Sequence, residues 1–325
     1  MPIPLVPGIY APTQVFYSNG KDETLDQAVI KQHAIRLAKA GVVGIVTNGS
    51  NGEAVYLSPE ERLQVTKSTR EALDGSGYAH LPIIVGASDQ SVQGTLRLCR
   101  DAATAGGDAV LVMVPSFFKW AMTTKTIEEF FIAVADQSPL PVIIYNYPGA
   151  VAGIDLDSDL LIRLSQHANI IGTKFTCGSV GKLARVTEAT KTATQALEPT
   201  SDGSYFAFAG VADFISSSLE VGASGAIVGA ANVFPRACVN VYNLAAQGKR
   251  KEAMEAQQKL AKADWELTKR AIPGFKAILD HWFSYGGIPR APMPALSQEE
   301  SQKLFQDISW MMDIESGLDD FGVPS

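Results

Sequence analysis

The sequence predicts a closed (β/α)8 barrel of the TIM type with a C-terminal helical extension, and three observations carry that prediction. From residue 8 onward, short β-rich runs alternate eight times with longer helical patterns, the order that builds a parallel sheet from repeated βα units. No GxGxxG turn follows the first run, as an open dinucleotide-binding sheet would require. After residue 248 the strand pattern stops and only helical periodicity continues. A chain of 325 residues is long enough for one such barrel.

The strands are read in order as Gly8 to Pro12, Val43 to Thr47, Ile83 to Gly86, Ala109 to Val114, Val142 to Tyr145, Ile170 to Lys174, Phe206 to Ala209 and Ala226 to Gly229. Each is a short apolar run between turn-forming residues. The helices between and after them are read at 24–40, 59–73, 90–105, 125–137, 156–166, 180–193, 211–221 and 234–247. Ser58-Pro59-Glu60-Glu61 gives the second helix an N-cap serine, a proline at its first position and acids in its first turn. Ala40-Gly41, Ala105-Gly106-Gly107 and Val221-Gly222-Ala223 supply glycines where a helix must turn back into a strand. Beyond 248, helices are expected at 250–271, 274–284 and 298–315, broken at Pro273 and at Gly286-Gly287-Ile288-Pro289. The domain reading is therefore a barrel over 1–248, an extension over 249–315 and a flexible acidic tail over 316–325.

Hydrophobic residues at 46% against 19% charged supply one large core. A net charge of −7 and the absence of any basic run argue against nucleic acid or acidic membranes as partners. Cys99, Cys177 and Cys238 lie far apart and fit reduced packing thiols. With neither a secretory leader pattern nor an apolar run of about 18 residues, the expectation is a cytoplasmic enzyme. His33, His80, His167 and His281 occur singly, so surface or supporting positions are expected and no metal site.

In such a barrel, functional side chains sit at strand C-termini. Lys174 ends the sixth strand, Tyr145 ends the fifth, and Gly49-Ser50-Asn51-Gly52-Glu53 follows the second. On spacing alone, Lys174 either extends its ammonium to water or occupies a pocket that depresses its pKa, and only the second makes it a nucleophile. Tyr145 is a core aromatic or a proton relay. The Gly49–Gly52 loop is a simple turn or a nest of backbone N–H groups for an anion. Glu53 reads as a structural residue.

Gly49-Ser50-Asn51-Gly52-Glu53, Tyr145-Asn146-Tyr147-Pro148, Gly172-Thr173-Lys174 and Gly229-Ala230-Ala231-Asn232-Val233 occur in an order that resembles the dihydrodipicolinate synthase and N-acetylneuraminate lyase family of class I pyruvate aldolases. The likeness extends through Ile272-Pro273-Gly274-Phe275-Lys276 and Gly286 to Pro292. It implies that Lys174 forms a Schiff base with a 2-keto acid and that Tyr145 relays protons. It places Ser50 and Asn51 on the keto-acid carboxylate, and Gly49, Ile227, Gly210 and Asn232 in the substrate pocket. No cofactor is implied, and the partners are small molecules, pyruvate and an aldehyde, bound by a homotetramer.

Two departures from the family pattern narrow the expectation. Phe118 stands where many relatives have a tyrosine that crosses a subunit interface, so Phe117 and Phe118 are read as interface or lid residues. Gly149 and Ala150 lie in the segment where the synthase carries an arginine for its aldehyde's carboxylate, which leaves only a basic group from elsewhere, such as Lys119 or Arg290, to take that role. The expected reaction is cleavage of a 2-keto-3-deoxy sugar acid to pyruvate and a hydroxyaldehyde, as in the fungal members of galacturonate breakdown that act on 2-keto-3-deoxy-L-galactonate. The alternatives are 4-hydroxy-2-oxoglutarate aldolase, dihydrodipicolinate synthase, and a silent keto-acid-binding relative.

Overall fold

A computed structural model describes residues 2–18, 23–190, 192–194 and 204–324. Eight parallel strands close in chain order: β1 (Gly8–Pro12), β2 (Gly44–Thr47), β3 (Ile83–Gly86), β4 (Ala109–Met113), β5 (Val142–Asn146), β6 (Ile170–Phe175), β7 (Phe206–Ala209) and β8 (Gly225–Ile227). Closure is the pairing of β8 with β1. The helices between them are α1 (Gln27–Ala40), α2 (Pro59–Gly75), α3 (Val92–Thr104), α4 (Thr124–Gln137), α5 (Ser158–Leu164), α6 (Val180–Ala189), α7 (Ile215–Glu220) and α8 (Pro235–Ala246). The predicted barrel is therefore the observed one.

Alternation along the strands separates two apolar layers. Residues such as Tyr10, Val46, Ile84, Leu111, Ile143, Phe208 and Ile227 fill the lumen. The opposite faces, among them Ile9, Ile45, Val85, Val110 and Ile144, pack under the helices. The lumen is a packed core, so the only place left for chemistry is its mouth.

Local chemistry explains the helix boundaries. Ser58 accepts from Glu61 N and Glu61 returns a carboxylate to Ser58 N, a capping box before Pro59. α1 stops at Gly41, whose φ of 98° lies in the left-handed region. α6 ends at Ala189 rather than 193, because Thr190 turns its hydroxyl back to Val186 O, and Thr192 then bridges to Tyr205. β8 ends two residues before Gly229, which begins a 3₁₀ turn to Asn232.

The extension consists of α9 (Arg250–Phe283) and α10 (Gln298–Ser316). α9 breaks at Ala271, with φ 49° and ψ −143°, two residues before Pro273, close to where the sequence predicts a break. α10 caps α8 from outside: the Glu315 carboxylate accepts from Arg236 N and Ala237 N, which no local side chain caps. Residues past α10 lie on the barrel, where Gly322 N donates to Lys39 O and Asp320 pairs with Arg236.

Candidate active site

Tyr145 on β5, Lys174 on β6 and Phe208 on β7 are register partners, so their side chains share one layer at the C-terminal end of the barrel. Lys174 is 3% exposed, and no carboxylate among the described residues pairs with it. Burial in this apolar setting brings its pKa down to about 7. Its Nζ lies 4.3 Å from the centroid of the Tyr145 ring. The Tyr145 hydroxyl meets Ser50 Oγ at 3.2 Å. Burial raises the phenol's pKa, while the bond to the Ser50 hydroxyl opposes that shift. Tyr147 stacks on Tyr145 with centroids 5.6 Å apart.

The loop after β2 owes its shape to two strained residues and one missing side chain. Asn48 and Glu53 have φ of 54° and 49°, sparsely populated for residues with a Cβ. Gly86 permits the loop to lie across β3, since a Cβ there would stand 1.9 Å from Asn48 O. Inside the loop, Gly52, Glu53 and Ala54 donate their N–H groups back to Gly49 or Ser50 carbonyls. The N–H groups of Ser50 and Asn51 donate to nothing among the described residues, which leaves two backbone donors uncommitted in the loop that carries the Ser50 hydroxyl.

Glu53 anchors the loop. Its Oε1 pairs with Lys276 Nζ at 2.6 Å, both side chains are fully buried, and its Oε2 accepts from Arg290 N. Arg290 is itself consumed by Glu61 and by the Tyr56 and Glu23 carbonyls, so it does not reach the mouth as the sequence left open.

A cavity of about 270 Å³ opens here, walled by Ser50, Tyr145, Asn48, Met113, Ala150 and Arg62 among others. Arg62 was missed in the sequence. Its guanidinium forms no ion pair or hydrogen bond among the described residues, and burial lowers its pKa. The available indication was positional, because the first turn of a barrel helix lies on the same face as the strand C-termini.

The other predicted residues separate. Ile227 ends β8, fully buried in the same lumen cluster as Tyr145 and Phe208. Gly210 packs on Thr176, the residue after β6, where a Cβ would lie 2.0 Å from Thr176 Oγ1. Asn232, expected in the substrate pocket, has its side-chain polar atoms engaged within the fold. It is fully buried, its Nδ2 donates to Pro12 O and Gly229 O, and its Oδ1 accepts from Gln14 N and meets His33 Nε2. No polar capacity is left for a substrate. His33 is likewise buried, and its pKa falls to about 3 chiefly through desolvation. Phe117, Phe118 and Trp120 stand 77%, 58% and 84% exposed on the β4 exit loop. Among the described residues no cluster of His, Cys, Asp or Glu is arranged to hold a metal ion.

Comparison with known proteins agrees with this geometry. A protein of Aspergillus niger named L-threo-3-deoxy-hexylosonate aldolase is 48% identical, with 98% of each chain covered. A protein of Emericella nidulans named "Probable 4-hydroxy-2-oxoglutarate aldolase, mitochondrial" is 44% identical, over 97% of this chain and 98% of that one. The solved structure of a dihydrodipicolinate synthase family protein from Coccidioides immitis superposes with a TM-score of 0.84 at 33% identity, covering 97% of this chain and 98% of the other. The family model described as the dihydrodipicolinate synthetase family matches residues 9–311, a span that holds seven strands and all but the first residue of β1, with the buried lysine and the Glu53–Lys276 anchor. With its lysine, tyrosine and Gly49–Gly52 loop on one barrel mouth, the chain belongs to the dihydrodipicolinate synthetase family.

Proposed function

We propose that this protein is a class I aldolase in which Lys174 forms an imine with a 2-keto acid, and that it cleaves 2-keto-3-deoxy-L-galactonate to pyruvate and glyceraldehyde. The observation that carries the reading is the uncharged-capable amine: a buried lysine with a pKa of about 7, set against the Tyr145 ring whose hydroxyl bonds Ser50. The free N–H groups of Ser50 and Asn51 take the substrate carboxylate. The Lys174 amine adds to C2, and the carbinolamine loses water as Tyr145 supplies the proton that leaves with it. A base, Tyr145 in its phenolate form, then removes the C4 hydroxyl proton. The C3–C4 pair collapses toward the iminium nitrogen and the aldehyde departs. Protonation of the enamine at C3 and hydrolysis release pyruvate and restore the amine. The imine is the electron sink, so the scheme calls on neither a metal nor an organic cofactor.

The name of the Aspergillus niger relative supports the sugar-acid substrate. Small Gly149 and Ala150 at the mouth leave room for a polyhydroxylated aldehyde. We place the enzyme in the cytoplasm, in galacturonate breakdown, as a homotetramer whose contact includes the exposed aromatic loop. Trapping with borohydride in the presence of pyruvate tests the chemistry: the reduced adduct is expected on Lys174, and an adduct elsewhere, or none, overturns it. For the substrate, kcat/KM with glyceraldehyde is expected to exceed that with glyoxylate or aspartate semialdehyde at least about tenfold, roughly 1.4 kcal/mol.

One observation favours a second reading, 4-hydroxy-2-oxoglutarate aldolase. Arg62 puts an unpaired guanidinium on the wall of the cavity that Ser50 and Tyr145 share, where a second carboxylate would find a partner. The Emericella nidulans relative carries that activity in its name. Glyoxylate as the better aldehyde in the same assay selects this reading.

A further inference from the structure

A buried chain of hydrogen bonds runs from the outside of the barrel to the keto-acid loop. Arg36 Nε donates to the Tyr285 hydroxyl at 2.7 Å, and that hydroxyl meets His33 Nδ1 at 2.8 Å. On the other side of the imidazole, His33 Nε2 lies 2.9 Å from Asn232 Oδ1. An amide oxygen can only accept, so Nε2 carries a proton; burial holds the imidazole's pKa at about 3, so the ring is neutral and Nδ1 accepts from Tyr285. Asn232 passes the constraint on: its oxygen also takes Gln14 N at 3.1 Å, and its amino group ties the end of β1 to the turn after β8 through Pro12 O and Gly229 O. Gln14, 1% exposed, then donates Nε2 to Asn51 Oδ1 at 3.3 Å. Gly229 holds the other side of Asn51, since a Cβ there would meet the Asn51 amide at 3.3 Å.

Each bond has one allowed donor direction, and every member is buried or half-buried. Asn51 is therefore held by a device whose far end lies in α1 and in the segment after α9, not in its own loop. We infer that Gln14 is a positioning residue for keto-acid binding, and that the Arg36–Tyr285–His33–Asn232 chain fixes Gln14 so that Asn51 keeps its backbone N–H aimed at the carboxylate. This rests on the proposed function. It predicts a defect in keto-acid affinity rather than in the bond-breaking steps, because neither Gln14 nor His33 touches Lys174 or Tyr145.

The experiment is borohydride trapping on the full-length protein at varied pyruvate, with thermal melting in parallel. Gln14→Met keeps the shape and removes the donor. It should raise the half-saturating pyruvate concentration about tenfold while the trapping rate at saturation stays within about twofold. His33→Leu should do the same, and His33→Gln, which can still donate to Asn232 Oδ1, should recover part of the loss. A merely structural role would lower the melting temperature and leave half-saturation unmoved in the molecules that remain folded, and that result overturns the inference. The absence of any adduct in the wild-type protein is a different failure, which removes the proposed function and this inference with it.

Discussion

Lys174 and Tyr145 are register partners on adjacent strands, and the amine of the first lies 4.3 Å from the ring centroid of the second. The lysine gains a neighbour that is aromatic on its face and protic at its tip, and it gains no carboxylate. Desolvation is thus left unopposed, and it alone brings the pKa from 10.5 to about 7.

The first prediction is a pH profile. Only the free amine attacks the keto acid, so the rate of adduct formation at fixed pyruvate should fall about tenfold per unit below pH 7 and level off above it. Rapid quench with borohydride across pH 5 to 9 reads this directly. A profile rising only near pH 10 would mean that the amine is not desolvated.

The second concerns stability. The unfolded chain binds the Lys174 proton up to about pH 10.5 and the folded chain only to about 7, so between those values the unfolded state holds more protons. Stability from this group therefore rises with pH across that window, and the penalty is complete below it. Lys174→Met removes the penalty, up to roughly 5 kcal/mol at pH 7. The inactive variant should melt higher than wild type at pH 7, with the gap narrowing toward pH 10.

Tyr145→Phe should slow turnover about 10²- to 10⁴-fold, the range for a positioned acid or base. Ser50→Ala removes the partner 3.2 Å from the phenol and one donor to the carboxylate, so it should affect both KM and kcat. Steady-state kinetics on both variants decide this, and near wild-type turnover in Tyr145→Phe would assign the ring to packing.

Glu53→Gln or Lys276→Met should each cost about 3–5 kcal/mol in urea denaturation, because each leaves a buried charge without its partner. The double variant should cost less than the sum. Additive losses would show that the two side chains contribute independently.

Arg62→Leu separates the two substrate readings. If the guanidinium faces a second carboxylate, the variant should lose activity with glyoxylate at least about tenfold and keep that with glyceraldehyde. Equal effects on both aldehydes assign Arg62 to the cavity wall alone.

What was legible in the sequence follows from locality. The strands, the N-cap at Ser58 and the break near Pro273 are written in neighbouring residues, and the structure returns them within a few positions. Lys174 and Tyr145 could be brought together because adjacent βα units place strand ends side by side. The fate of Asn232 could not be read, since its partners Pro12, Gln14 and His33 lie some two hundred residues upstream. Arg62 was hidden for a related reason: a charged residue on a helix reads as solvated until the cavity beside it is known.

The Glu53–Lys276 pair also sets a timetable. On the ribosome, all eight strands have been made by Ile227, yet the carboxylate that braces the β2 loop waits for an ammonium encoded more than two hundred residues after it. From Ile227 to Lys276, at roughly 5–20 residues per second, the wait is on the order of 2 to 10 s. During it, the nascent barrel holds a glutamate at a left-handed backbone position with nothing to neutralise it. A premature stop anywhere between the last strand and Lys276 would therefore release a chain with all of its strands and a slack catalytic loop.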